Sequence, residues 1–271
     1  MNSPVTPLQM RLAPNLLLAR CEHWARLQFD TPRPALSSAP VNGGLTQCHQ
    51  WLNVKVSGDP VHTDQQEAQT PADTVSALCA TQRWKGNTVA MLTAASMNSL
   101  RVRYLYLHGQ LVLVAVTSGL ANARRVGDTA DYRQFADAMP TTPAPPTGTI
   151  NIAVVTDVQL DSGVMVEAMM VVTEAKAAVL LERQWPSPVS GRAATGTGTD
   201  AMAIFAGTTG PAADYAGKHT LLGEVLGLLS LSAIGDSVDQ TGDTVVRLEA
   251  PQRRSSSGST HQNNAARRPR Q

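Results

Sequence analysis

Residues 149–183 read TINIAVVTDVQLDSGVMVEAMMVVTEAKAAVLLER, and the reading of this stretch decides the fold class. The run Thr149–Thr156 is short, apolar and closed by Asp157, which predicts a strand buried on both faces. Asp161 or Ser162 is placed to N-cap the next segment, and no proline interrupts it before Arg183. One long helix is expected there. It is apolar nearly all round, so a central position is expected for it. A buried strand leading into such a helix calls for a layered protein of strands and helices.

The flanking sequence extends this pattern. Leu16–Arg20 and His23–Phe29 read as paired strands, Arg33–Ser38 as a third and Cys48–Val56 as a fourth. Thr70–Arg83 reads as a helix. Thr88–Ala95, Leu100–Leu107 and Leu111–Val116 read as strands, the last two joined by the tight turn His108-Gly109-Gln110. Asp128–Met139 is expected to be helical and the proline-rich Pro140–Gly148 a loop. Ala201–Ala206 is a second buried strand, Lys218–Ile234 a second apolar helix, and Val245–Leu248 a closing edge strand. Gly223 and Gly227, four apart, are expected to let that helix pack close to a neighbour. No βαβ period repeats, so an α+β single layered domain with a mixed sheet is preferred over a doubly wound α/β sheet. It spans residues 1–250. Residues 251–271 carry five Arg, no acid and almost no apolar side chain, the composition of a disordered basic tail.

Composition narrows the class. The 271 residues are 42% hydrophobic and 16% charged, with a net charge of +1, so a sizeable core is affordable and no strong field draws nucleic acid. Only 4% are aromatic, which excludes a groove paved with stacking rings. Three cysteines without a CxxC pair argue against a disulfide framework and for a reducing cytoplasm. No histidine pair has metal-ligand spacing, so no metal is expected. No segment approaches the roughly 18 apolar residues of a membrane span. The oligomeric state is not legible.

Four polar islands interrupt the apolar background. The first, Ser37–Gly44, carries Asn42 and tandem glycines, which suit either close backbone approach or an ordinary turn. The second, Thr117–Asp128, gathers Asn122, Arg124, Arg125 and Asp128 where a strand ends. Such a position favours ligand groups, the alternative being a salt bridge between an Arg and Asp128. The third joins Thr173-Glu174-Ala175-Lys176 to Ala194–Asp200. Glu167 and Glu174 share one helix face and must be paired, protonated or functional. The Thr-Gly repeat holding Thr197 and Thr199 offers N–H groups as phosphate cradles do, without a nucleotide-loop spacing. The fourth, Tyr215–Thr220, places Lys218 and His219 where a helix should begin. A first-turn His is favoured as neutral imidazole and could act as a general base.

The segments LSSAPVNGGL, TSGLANARRVGD, GTINIAVVTD, TEAK, ATGTGTDA and YAGKHTLLGE occur in this order. Together they resemble the adenosylcobinamide amidohydrolases, over about Leu16–Ile234. The resemblance implies a cytoplasmic hydrolase that cleaves the aminopropanol amide of adenosylcobinamide in corrinoid salvage. It implies adenosylcobyric acid and 1-aminopropan-2-ol as products, and no cofactor beyond the cobalt that arrives in the substrate. Amide hydrolysis needs a nucleophile, an oxyanion site and a proton for the leaving amine. His219 is expected as base and acid, with Asp200 or Glu174 orienting it. Asn42, Asn122, Arg124, Arg125, Asp128, Thr197, Thr199 and Lys218 are expected to line the substrate site, with Asn122, Arg124 or the Thr195–Thr199 N–H groups at the oxyanion. Attack by water is preferred to a covalent route through Ser118 or Thr199, since neither GxSxG nor Ser-x-x-Lys occurs. A non-catalytic corrinoid-binding protein and a nucleotide-using enzyme are the competing readings.

Overall fold

The structure, a computed structural model, describes residues 7–56, 70–131 and 148–251. Four strands open the chain as an antiparallel meander: β1 (Leu8–Ala13), β2 (Leu16–Arg20), β3 (Trp24–Ser37) and β4 (Gly44–Lys55). Helix α1 (Pro71–Gln82) carries the chain across to β5 (Thr88–Thr93), parallel to β4. Thr70 and Asp73 close a reciprocal capping box at its start, with Pro71 in the first turn. Strands β6 (Arg101–Leu107) and β7 (Gln110–Ser118) form a hairpin. Its turn residues His108 and Gly109 both have positive φ, the geometry that matches strand twist.

Next come the short β8 (Ala123–Arg124), then β9 (Ile150–Thr156), α2 (Ser162–Glu182), the short β10 (Gly196–Thr197), β11 (Ala201–Phe205), α3 (Leu221–Asp239) and β12 (Val245–Arg247). The main sheet runs β1-β2-β3-β11-β9-β7-β6-β12, with β4 and β5 branching from β3. Strands β8 and β10 pair as a separate ribbon.

Strand β3 serves two layers. Its pairing with β4 breaks register between Gln28 and Arg33. Before the break it pairs with β2, and after it Ala35–Ser37 pairs with β11. The two halves of the sheet then face each other, and the period-two alternation of side chains sorts the core. In β7, Leu111, Leu113 and Ala115 point between the sheet layers, against Leu27, Phe29, Trp51 and Met91. Val112, Val114 and Val116 point the other way, into a core shared with α2 and α3. Outside β4 and β5, Leu52, Val54 and Ala90 pack on Val75 of α1. The order is helix, sheet, sheet, helix pair: a mixed-sheet α+β single domain, as expected.

Several boundaries differ from expectation. Arg33–Ser38 is the second half of β3, not a separate strand, because Gln28–Arg33 is a register break rather than a turn. β1 went unrecognised, since four of its six residues are exposed. Asp128–Asp131 is not helical, and the rest of that expected helix, the following loop and residues 252–271 lie outside the described residues. Helix α2 covers the middle strands but as an outer layer, with Val166 and Met170 exposed. Helix α3 is long and apolar enough by composition to cross a membrane, and more than half of its apolar window is buried, where it packs with β7 and β6.

The layer between the sheets also holds polar groups, all satisfied. Asn53 donates to the Thr117 hydroxyl (2.6 Å), and Asn151 donates to the Asn53 carbonyl oxygen (2.8 Å) and to the backbone of Leu92 (3.0 Å). Asn53, Asn151 and Thr117 are fully buried, so each bond offsets a desolvation cost that would otherwise stand alone.

Candidate active site

Parallel pairing of β9 and β11 sets Ala201 beside Asn151. The residue before β11, Asp200, therefore reaches the start of β9. Its carboxylate accepts the N–H of Ile150 (3.0 Å), the N–H of Thr197 (3.1 Å), the Thr197 hydroxyl and the ammonium of Lys176. These four donors use the carboxylate's whole acceptor capacity. Lys176 comes from α2, one turn after Thr173. Their side chains line a cavity of about 120 Å³ together with Ser38, Ile150, Asp200 and Met202. The Lys176 and Asp200 side chains are 12% and 15% exposed, a desolvated pair at the mouth of a crevice. An ammonium has three donors, so two remain to face the cavity.

The Thr-Gly repeat explains itself here. A Cβ on Gly196 would lie 2.4 Å from the Asp200 carboxylate and 3.1 Å from the Lys176 nitrogen, and one on Gly148 would lie 2.9 Å from the Asn122 carbonyl oxygen. Glycine is required where the ribbon passes the ion pair. The threonines between act as ties. Thr197 bonds Asp200, the Thr199 hydroxyl donates to Gly148 O (2.9 Å), and Thr149 donates to Thr199 O (2.7 Å). The N–H groups of Thr195, Thr197 and Thr199 are used within the protein, the last at 3.4 Å, so the repeat has few donors to offer a phosphate. The same bonds remove these three from the expected oxyanion site.

The second and third islands meet directly, with Ala123 paired to Thr197 and Arg124 to Gly196. This sets Asn122 beside the Gly148 and Gly198 backbone. Asn122 is buried, and its carbonyl oxygen has no hydrogen-bond partner. The two arginines are engaged in holding loops. Arg124 grips Asp131 with one N–H at 2.7 Å, and Arg125 donates to Ala193 O (2.7 Å). Asp128 ties the Arg125 N–H (2.8 Å) and the Ser187 hydroxyl. The hydroxyls of Ser187 and Ser190, then the Arg125 N–H, hold its pKa down at about 2. Asn42 is a turn residue at φ 54° that donates to Thr88 O (2.7 Å). Its island contributes Ser38 to the cavity instead.

The fourth island is placed differently from expectation. Helix α3 starts at Leu221 with Thr220 as its N-cap, so His219 precedes the cap and lies outside the first turn. It is exposed. Asp200 is filled by Lys176, Thr197 and Ile150, and Glu174 is ion-paired with Lys218 on the surface, so no His–carboxylate pair forms. Glu167 accepts the Ala216 N–H (2.7 Å). Both acids on that face of α2 are thus paired, and they pin the fourth island to the helix. Gly223 makes room for the Gly217 carbonyl, 2.0 Å from where its Cβ would stand, while Gly227 faces open space. Neither serves helix–helix contact. Ser118 is buried and bonds Ser237 at 2.9 Å, away from the cavity.

The residue that sequence reasoning passed over is Lys176. Its signal was present: a lysine in an apolar helix, three residues after Thr173 and on its face. Among the described residues no group of three His, Cys, Asp or Glu is placed to hold a metal.

Comparison with known proteins adds the following. The uncharacterized protein MJ1613 of Methanocaldococcus jannaschii is 34% identical over 153 residues, 52% of this chain. The match spans 59% of that relative's length. Among solved structures, a Burkholderia sp. beta-aminopeptidase superposes at a TM-score of 0.40 and 14% identity, covering 81% of this chain and 78% of that one. The family model for CbiZ, adenosylcobinamide amidohydrolase, matches residues 13–244, a span that takes in β2 through α3 and every polar island. The chain belongs to the adenosylcobinamide amidohydrolase family.

Proposed function

We propose that the protein hydrolyses the secondary amide joining aminopropanol to the corrin ring of adenosylcobinamide, at the Lys176–Asp200 centre. The observation that carries this reading is the ion pair itself. A lysine buried at a crevice, fixed by a carboxylate that has no free acceptor, is a preorganised positive charge. Family membership supplies the substrate class. Asp200 acts as the orienting group. Lys176 Nζ holds the oxygen that turns negative when water adds to the carbonyl carbon, and it gives a proton to the departing nitrogen and recovers one from the water that has added. The C–N bond breaks as the carbonyl re-forms, and the second proton of the water passes from the new carboxyl group to the amine, giving a carboxylate on the corrin and protonated 1-aminopropan-2-ol. The acid product, adenosylcobyric acid, suits return to coenzyme synthesis, a role in corrinoid salvage. The cobalt is part of the substrate.

The test is to incubate the protein with adenosylcobinamide and follow both products by mass spectrometry, beside Lys176→Met. Release of both products in equal amounts, lost in the variant, is the expected result. Stoichiometric corrinoid binding without aminopropanol release would make the protein a binding module instead.

A further inference from the structure

The cavity at Lys176 is too small for the whole substrate it is read to serve. Its volume of about 120 Å³ holds an amide and a short arm, whereas enclosing a drug-sized ligand takes roughly 300–1,000 Å³. A corrin macrocycle must therefore stay outside, against the surface that borders the mouth. That surface is apolar. Cross-strand pairing sets Leu45 of β4 opposite Leu36 of β3, and Leu36 opposite Ile204 of β11. Paired residues project on the same face. Leu36 and Ile204 belong to the core under the helices, so Leu45 points to that side too, where it is 65% exposed. Helix α2 packs on β11 and reaches β3. Met169 and Met170 stand one turn before Thr173 and Val166 two turns before it, with Met170 58% and Val166 47% exposed. Thr173 lines the cavity, as does Ser38, two residues after Leu36. Strand and helix thus each bring apolar side chains up to the cavity wall.

Exposed apolar side chains gathered beside a polar centre mark a binding surface. Methionines on such a surface adapt to an irregular outline, and a ring fringed with methyl groups and amide arms has one. We propose that the corrin lies on a shelf formed by Leu36, Leu45, Val166, Met169 and Met170, and that the aminopropanol arm alone enters the cavity. This rests on the reading that the Lys176–Asp200 centre cleaves that arm. It adds what selects the substrate: the shelf recognises the macrocycle and the cavity its amide. Five side chains are too few for a stable interface with a second copy of the chain, which takes roughly 20–30 residues a side.

Binding tests the shelf apart from turnover. In Lys176→Met, adenosylcobinamide binding is measured by equilibrium dialysis and corrin absorbance. Adding Leu45→Gln and Met170→Gln together removes apolar contact without adding charge. Binding should weaken by about tenfold, with the melting temperature held, as for exposed positions. In the wild-type background the same two substitutions should raise KM by a similar factor. Met170→Leu keeps the apolar surface and should bind within about twofold of its parent. Leu228→Gln, at a residue 46% exposed but on α3, should leave binding unchanged. Unchanged affinity in the double variant overturns the proposal, as does an equal loss in Leu228→Gln or no corrinoid binding in the wild type. So does a dimer in sedimentation that the double variant dissociates with its affinity intact, which assigns the face to a second copy. Shelf-dependent binding in a protein that releases no aminopropanol would retain the shelf and refute the hydrolysis. Aminopropanol release with KM indifferent to the shelf would do the opposite.

Discussion

Strands β9 and β11 carry an ion pair at each end, and the two pairs differ in what is left over. At the carboxyl ends, Arg33 donates to Asp157 (2.7 Å) and to Thr156 O (2.7 Å), while Asp157 also accepts the Leu111 N–H (3.2 Å). Phe29 lies under the guanidinium at 5.3 Å. Gly207 and Gly210 press onto the Asp157 carbonyl, 1.9 and 2.0 Å from where their Cβ atoms would stand. The pair braces the sheet. At the amino ends, Lys176 keeps donors in hand and Asn122 an acceptor. The larger cleft, about 770 Å³, lies at the braced end, and the smaller, about 120 Å³, at the other. The proposed centre follows unspent hydrogen-bonding capacity and not volume. It lies at the amino ends, opposite to the end that ligands usually take on parallel strands.

The contrast predicts opposite outcomes for matched substitutions. Lys176→Met should leave the fold intact and lower kcat by about 10²–10⁴-fold, checked by steady-state turnover beside the unfolding midpoint. Equal losses in both readouts would place Lys176 among the braces. Arg33→Met should do the reverse, lowering stability by roughly 3–5 kcal/mol because Asp157 is left partly buried and unpaired. Urea unfolding measures this, and the protein that remains folded should turn over normally.

Asp128 tests the loop behind the site. Its folded pKa of about 2 lies below the ordinary 3.8, so its bonds stabilise the fold above about pH 4, and that contribution is lost as pH falls through about 2. Asp128→Asn should therefore melt lower than wild type at neutral pH, the gap closing in acid. A gap independent of pH would assign the effect to packing. The smallest change is expected at His219. His219→Gln should shift stability by less than about 0.5 kcal/mol and turnover by about twofold at most, as for an exposed residue without partners at the centre. A hundredfold loss there would return the proton-transfer role to the histidine.

The layers were legible because burial writes itself into period: Thr149–Thr156, Leu111–Val116 and Ala201–Ala206 each alternate between two apolar surroundings, and only strands covered on both faces look so. The site was legible as islands. Their bonding was not, because it depends on which strand ends meet, and the parallel register of β9 and β11 is a long-range fact. Asp200 was expected to orient His219, and it pairs with Lys176 instead. Lys176, 24 residues away, competes for it with a full charge at contact distance, while a histidine seemed nearer to chemistry by type alone. The His219 reading rests on a helix start at Lys218; the helix starts three residues later, at Leu221, which leaves His219 before the Thr220 cap.

The buried chain from Thr117 through Asn53 to Asn151 ties the two sheet layers together at their middle. The apolar surfaces around it, built of Ala, Val and Leu, are smooth and interchangeable, and would slide past one another at small cost. The amides admit one alignment, since any slip of a residue strands two polar side chains in hydrocarbon. The layers must then separate together or not at all. Hydrogen exchange in β4, β5 and β9 should report one opening event shared by strands far apart in sequence. The cavity at Lys176 sits beside Ile150, the residue next to Asn151, so its shape is held by a lock placed in the middle of the molecule.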